Sequence, residues 1–221
     1  MQATPTRMFT FDPGLSSGAR ELLKWIALLA MTGDHVAKVV FGGHVPVVSE
    51  LGRIAFPLFA LVMACNLAQP GADLRKSMRR LALWGLIAQP LHALAFGSWL
   101  PLNILLTFTL AAVAVHALAN NRLVQLLLAA GVLPMFVDYQ WAGVGSVLLA
   151  WIAFRHRAWW LLLVGLAVVC WANHNGWALL AIQVVLLAAR VPWQLPRWRW
   201  AFYGYYVGHL AVLALVAHLL V

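Results

Sequence analysis

The sequence predicts an all-α, polytopic bundle of about nine transmembrane helices with a cytoplasmic N-terminus. Of its 221 residues, 64% are hydrophobic and only 10% are charged, and the mean hydropathy is +0.86. A soluble domain is usually about 45–50% apolar and about 25% charged. The composition therefore excludes a water-soluble enzyme, and its high hydrophobicity also excludes a disordered chain.

The chain divides into a short arm and one membrane domain. Residues 1–19 are polar and contain two prolines, so they indicate a flexible cytoplasmic arm. A signal peptide is not predicted there, because the first apolar run begins late, is long and lacks a cleavage site. Residues 20–221 are predicted to form a single transmembrane domain, because about nine spans leave no room for a soluble one.

Each predicted span is an apolar run, and a helix that crosses a bilayer requires roughly 20 such residues. In chain order these runs are 22–41, 52–68, 81–97, 102–119, 122–136, 142–154, 158–172, 176–190 and 200–220. The fifth and sixth are short, which tilting, a kink at Pro134 or a partly re-entrant path would accommodate.

The basic residues predict the orientation. With the N-terminus inside, all but two of the 15 Lys and Arg residues lie on the cytoplasmic side, and the exceptions are Lys38 and Arg53. This is the positive-inside pattern of a polytopic protein of the bacterial inner membrane. The net charge of +9 therefore does not indicate binding to nucleic acid.

Cys65 and Cys170 are predicted to be core residues near opposite membrane faces, with no disulfide between them.

The first span carries three polar side chains in its outer half. These are Asp34, His35 and Lys38. A charge at the bilayer centre costs roughly 2.5–3.5 kcal/mol, so such residues require a partner, a cavity or a function. Asp34 and Lys38 are one helical turn apart and can pair. A purely structural ion pair, with Lys38 or with Arg53, is the less favoured alternative to a functional role.

Other polar residues are predicted to converge on the same outward-facing region. They are Arg53, Gln89, Asn103, Asp138, Tyr139 and His209. Gln89 and Asn103 fit helix-to-helix hydrogen bonding better than catalysis. No HxxxH or HExxH spacing occurs among the eight histidines, so no metal site is expected.

Several segments, in order along nearly the whole chain, resemble the TraX family of membrane proteins. They are Leu23–Ala27 with Met31–His35, Leu51–Ala60, Leu102–Thr107, Asp138-Tyr139 followed by Gly143, and Trp200–Leu210. Members from F-like conjugative plasmids are known as acetyltransferases that acetylate the pilin N-terminus. The resemblance implies an acetyl-CoA-dependent acyltransferase here, with a pilin or a similar membrane-presented amine as its acceptor.

Amine acetylation needs a base and oxyanion stabilisation, which suggests roles for these residues. We expect His35 to be the general base, Asp34 to orient the site, and Lys38 or Arg53 to stabilise the oxyanion. Gln89, Asn103, Asp138, Tyr139 and His209 would support the site or bind the acceptor. Lys24, Arg79 and Arg80 would bind the phosphates of acetyl-CoA. An acyl-histidine intermediate is the less favoured variant.

Two other classes of protein fit the same residues. Buried Asp, His and Lys also form proton relays, so a proton-coupled transporter or channel is the main alternative. A non-catalytic assembly subunit is a third possibility, and it predicts that changes at His35 and Asp34 leave function intact.

Overall fold

The protein consists of helices joined by short irregular connections in the part that its computed structural model describes, which is residues 15–193, 195–198 and 200–220. The α-helices are α1 (Ser17–Val40), α2 (Val48–Gly52), α3 (Ala55–Ala68), α4 (Leu74–Phe96), α5 (Ile104–Ala119), α6 (Leu123–Leu126), α7 (Gln140–His156), α8 (Trp160–Ala172), α9 (Leu180–Arg190) and α10 (Ala201–Leu220). A π-helix (Leu127–Val132) and two 3₁₀ turns (Leu133–Phe136 and Trp177–Leu179) complete the path. Within the described ranges no strand forms, so the all-α class is confirmed.

Side-chain caps start two helices earlier than predicted. The Ser16 hydroxyl accepts a hydrogen bond from the backbone N–H of Ala19 at 3.0 Å, so α1 begins at Ser17. The end of the predicted arm, residues 17–19, is therefore helical, and most of the rest of that arm lies outside the described residues. The Asp73 carboxylate caps α4 by accepting from the N–H of Lys76 at 2.9 Å.

The second and fifth predicted spans are irregular. The second begins at the last residue of α2, passes through a break at Arg53 and Ile54, and continues as α3. Pro57 therefore lies in the first turn of α3, where its missing N–H has no helical partner to lose. The fifth passes from α6 through the π-helix into the 3₁₀ turn that contains Pro134.

Helix α5 lies at the centre of the bundle. Its Ala111, Ala112, Ala114 and Val115 are fully buried, since small side chains let neighbouring helices approach closely. It packs against α4 and α7, while α4 also packs against α10 and α7 against α3 and α8. Helix α1 packs against α3, α9 and α10, and the polar residues of its C-terminal half meet the last helix of the chain.

Among the described residues, two helical stretches meet the length and hydropathy expected of a membrane span. They are Val48–Ala68 and Ala201–Leu220. The other apolar helices are shorter, such as the 16 residues of α5, and that length spans only about 24 Å of a hydrocarbon core of about 30 Å. Helices α1 and α4 are longer but carry charged residues. The nine-span topology therefore stays a prediction.

Candidate active site

The Asp34–Lys38 ion pair forms on α1 as the spacing predicted. The Lys38 ammonium lies 2.6 Å from one Asp34 carboxylate oxygen, and the Asp34 side chain is 12% exposed against 43% for Lys38. The other carboxylate oxygen, Oδ1, is buried and has no hydrogen-bond partner in the described part of the chain. A buried acceptor left open is costly unless a donor is supplied, so a bound group that donated to this oxygen would be stabilised.

Gly52, at the end of α2, allows Asp34 to sit in this position. A Cβ at residue 52 would lie 2.5 Å from the Asp34 Cβ and 3.2 Å from its Oδ1. Contacts this short force either the side chain or the helix to move.

We therefore expect Gly52→Ala to destabilise the protein by about 1–3 kcal/mol and to disturb the ion pair. Gly204→Ala is the matched control, because nothing lies within 4 Å of its added Cβ. Thermal unfolding of both variants in the same detergent tests this. Equal stability of the two variants would show that the contact relaxes freely.

His35 and His209 form a hydrogen-bonded pair across α1 and α10. His35 Nδ1 lies 2.9 Å from His209 Nε2, and the two rings stack at a centroid distance of 5.2 Å. His209 Nδ1 lies 3.1 Å from the backbone carbonyl oxygen of Tyr205. A carbonyl only accepts, so His209 Nδ1–H is the donor of that bond.

This chain of bonds determines where the free lone pair lies. A neutral imidazole has one N–H, so His209 Nε2 accepts and His35 Nδ1–H donates. The lone pair of neutral His35 then lies on its Nε2, which is the atom left to act as a base. A hydrogen bond at one ring nitrogen selects the tautomer of a histidine in this way.

Aromatic side chains surround the histidine pair. Phe96 of α4 meets the His35 ring edge-on at a centroid distance of 5.1 Å. The Thr32 hydroxyl donates to the Leu28 carbonyl and accepts from the Tyr205 hydroxyl at 2.9 Å. These contacts hold α1 and α10 together one turn below the two histidines.

His92 also belongs to this region, and the sequence analysis assigned it no role. Its ring lies 4.8 Å from that of Phe96, and it interacts electrostatically with His35 and Lys38. Its Nδ1 is buried without a hydrogen-bond partner among the described residues. Its only signal in the sequence was its depth in the outer half of the third span.

Asp138 and Tyr139 lie in the strained connection before α7. Tyr139 and Gln140 have φ values of 58° and 45°, and such left-handed geometry costs roughly 1–2 kcal/mol per residue. The Asp138 N–H donates to the Leu102 carbonyl at 2.8 Å, and its carbonyl accepts from Thr107 at 2.7 Å. Contacts from α5 and from the residues just before it therefore hold this segment in place.

This connection lies close to the ion pair. Burial raises the pKa of the Asp138 carboxyl, and the nearby Lys38 and Arg53 side chains partly oppose that shift. Burial also raises the pKa of the Tyr139 phenol, and the charge of Asp138 adds to the increase. Asp34, Lys38, Arg53, Asp138 and Tyr139 thus share one electrostatic neighbourhood, contributed by the first two predicted spans and the connection before α7.

Gln89 and Asn103 hydrogen-bond to each other and to the backbone. Asn103 is fully buried and donates to Gln89 Oε1 and to the Gly85 carbonyl, both at 2.8 Å. Its own Oδ1 accepts from the N–H of Leu105. Gln89 Nε2 donates to the Trp99 carbonyl. The polar atoms of both side chains are therefore engaged in joining α4 to the start of α5.

The three basic residues assigned to a cofactor do not share one location. Lys24 pairs with Glu21 at 2.7 Å and lies over the Phe202 ring. Arg80 lies over the Trp200 ring at 6.0 Å, so both flank the start of α10. Arg79 instead lines a cavity between α4, α5 and the segment that follows Arg122.

Comparison with known proteins gives one family. A family model described as "TraX protein" matches residues 19–217. The chain is 39% identical over 97 residues to Protein TraX of Escherichia coli, and 34% identical over 99 residues to Protein TraX of Escherichia coli strain K12. It is 28% identical over 102 residues to "Uncharacterized protein RP591" of Rickettsia prowazekii strain Madrid E.

These alignments cover only part of each protein. They include 44–46% of this chain and 38–39% of the length of each relative. No solved structure matches the chain.

Proposed function

Because the chain belongs to the TraX family, we propose that it is an integral membrane acyltransferase that transfers an acetyl group from acetyl-CoA to an amine. The acceptor is a pilin N-terminus or a similar amine presented at the membrane. One observation carries this proposal, namely the chain of hydrogen bonds in which His35 donates to His209 and His209 donates to the Tyr205 carbonyl. These bonds leave the lone pair of His35 on Nε2, on the same helix as the Asp34–Lys38 pair.

The proposed location is the bacterial inner membrane, with the N-terminus inside and about nine spans. Two stretches are long and apolar enough to cross it. The exterior also exposes large apolar side chains over many helices, among them Leu86 at 65%, Leu94 at 67% and Leu163 at 62%. Apolar surface this extensive needs a lipid or protein environment, which supports spans for the shorter helices as well.

The reaction needs a base for the amine and a donor for the oxyanion. In the proposed step the amine nitrogen attacks the thioester carbonyl, and His35 Nε2 takes a proton from that nitrogen. The C–S bond then breaks, and the same proton goes to the departing CoA thiolate. Histidine is the side chain that most often moves a proton in this way.

Positive charge next to His35 supports the developing oxyanion. Lys38 and Arg53 are the candidates, and both lie in the electrostatic neighbourhood of Asp138. Asp34 holds the Lys38 ammonium at 2.6 Å. Its unpartnered Oδ1 is a candidate acceptor for the N–H of the incoming amine. Electrostatic stabilisation of this kind is usually the largest contribution to acyl transfer.

The donor would enter along the seam between α1, α4 and α10. Lys24 and Arg80 flank the cytoplasmic end of that seam over Phe202 and Trp200. Farther along, Trp84 stacks on Tyr203 at 5.7 Å. We propose that Lys24 and Arg80 bind the CoA phosphates and that the thioester arm follows these rings toward the histidines.

The test is acetyl transfer by the purified protein in nanodiscs. Radiolabelled acetyl-CoA would be supplied with a pilin peptide that has a free N-terminus, and with the same peptide blocked at that amine. We expect label only on the free peptide. Absence of transfer to every amine offered, together with no binding of acetyl-CoA by folded protein, would contradict the proposal.

The second candidate is a proton-coupled transporter. The direct hydrogen bond between His35 and His209 also suits proton transfer between rings, next to a lysine and an aspartate. Liposomes with a pH-sensitive dye inside separate the two functions. Proton flux without acetyl-CoA turnover would favour the transporter, and turnover without flux would favour the acyltransferase.

A further inference from the structure

A cavity of about 480 Å³ opens at the Arg-rich end of the bundle, and neither His35 nor His209 lines it. Its walls come from α4, α5 and residues 122–133, and no residue of α1 or α10 contributes to them. Most of the wall is apolar, formed by side chains such as Met78, Leu110 and Val113. Arginines at its edge make it an apolar cavity with a positively charged rim.

The rim is formed by Arg75, Arg79 and Arg122. All three are exposed, and in the described part of the chain none of them forms a salt bridge with a carboxylate. The nearby Asp73 carboxylate caps α4 instead. A second cavity of about 400 Å³ adjoins this rim and shares Arg75 and Arg79 with it. Guanidinium groups without a protein anion suit a phosphate, which they bind in a bidentate manner.

The cavity lies beside the outer surface of the bundle. Leu123, Val124 and Leu127, in the segment that forms one wall, are 65%, 71% and 57% exposed. The same segment widens into the π-helix, whose Leu128 and Ala129 line the cavity. Such local widening of a helix is frequent at functional sites.

From these observations we propose that the cavity binds an anionic phospholipid, with its phosphate at the three arginines and one acyl chain along the apolar wall. Basic pockets between helices at the cytoplasmic side suit lipid headgroups. The proposal rests on the membrane location given above but not on acetyl transfer. Acetyl-CoA is not the proposed occupant, because the cavity has no wall in common with the helices that carry His35 and His209.

The test is lipid retention measured by native mass spectrometry. Protein released from nanodiscs with equal amounts of phosphatidylglycerol and phosphatidylcholine should retain phosphatidylglycerol. Arg75→Gln combined with Arg122→Gln should lower that retention by about tenfold. Arg155→Gln combined with Arg190→Gln is the matched control, because it removes the same charge from exposed positions outside the cavity. We expect the control to retain lipid like wild type.

Two more variants separate the parts of the site. Arg75→Lys with Arg122→Lys keeps the charge but loses the bidentate fork, so we expect an intermediate loss. Val113→Trp fills the apolar wall, and we expect reduced retention with the charge unchanged. Thermal unfolding would verify that each variant is folded.

Three results would overturn the proposal. The first is retention that is the same in wild type and in both Gln pairs. The second is an equal loss in the control pair, which would indicate diffuse attraction to the whole basic face. The third is displacement of the retained lipid by acetyl-CoA, which would assign the cavity to the acyl donor. Acetyl transfer is measured in parallel, and its presence or absence does not bear on whether the cavity binds lipid.

Discussion

Acetyl transfer should fall by about 10²–10⁴-fold when His35 is replaced by alanine, which is the usual contribution of a general base. The physical reason is the bond chain from the Tyr205 carbonyl through His209, which leaves the His35 lone pair on Nε2. The measurement is the single-turnover rate in nanodiscs with labelled acetyl-CoA. His218→Ala is the matched control, since His218 is an exposed histidine near the end of α10.

Chemical rescue separates catalysis from folding in this experiment. Free imidazole should restore part of the rate of His35→Ala, because a small base can enter the space that the ring leaves. It should not change the rate of wild type or of His218→Ala. A His35→Ala variant that transfers acetyl at the wild-type rate would exclude His35 as the base.

His209 acts through His35, so it is a positioning residue, and its variants extend the same prediction. His209→Phe removes the acceptor for His35 Nδ1–H and should lower kcat with little effect on KM. His209→Gln can still present an oxygen to that N–H and should recover part of the loss. Equal effects of His209→Phe and His209→Gln would indicate that the His209 ring only fills space.

The largest expected loss of stability follows from Asn103→Ala. This change removes the helix-capping hydrogen bond that Asn103 Oδ1 accepts from the Leu105 N–H, which is worth about 1 kcal/mol. It also removes the two hydrogen bonds that Asn103 Nδ2 donates to Gln89 and Gly85, each of about the same value. We therefore expect the free energy of unfolding to fall by about 2–4 kcal/mol. The reason is the complete burial of Asn103 at the junction of α4 and α5.

Equilibrium unfolding in mixed micelles measures this loss. Asn66→Ala is the control, because Asn66 is exposed on α3, and it should change stability by less than about 0.5 kcal/mol. A double-mutant cycle with Gln89→Ala should give a coupling of about 0.5–3 kcal/mol. Additive effects of the two changes would mean that the bond between them contributes nothing to stability.

Much of the fold follows from composition and local spacing. Apolar runs predicted where the helices lie, because a chain this hydrophobic must satisfy its backbone hydrogen bonds within helices. The spacing of Asp34 and Lys38 predicted their ion pair, because residues four apart on a helix are always neighbours. The predicted starts of α1 and α4 lie too late in the chain. The Ser16 and Asp73 side chains cap these helices ahead of the apolar runs, so each helix includes polar residues that the prediction left out.

The sequence by itself thus determined the helical class, the apolar segments and the polar C-terminal half of α1. Only the tertiary structure decided that His35 meets His209, which lies 174 residues away, and that Gln89 meets Asn103. It also placed Arg79 in a different location from Lys24 and Arg80, and it brought His92 into the electrostatic surroundings of His35. Helix periodicity sets which residues share a face, whereas the packing of the whole bundle decides which faces meet.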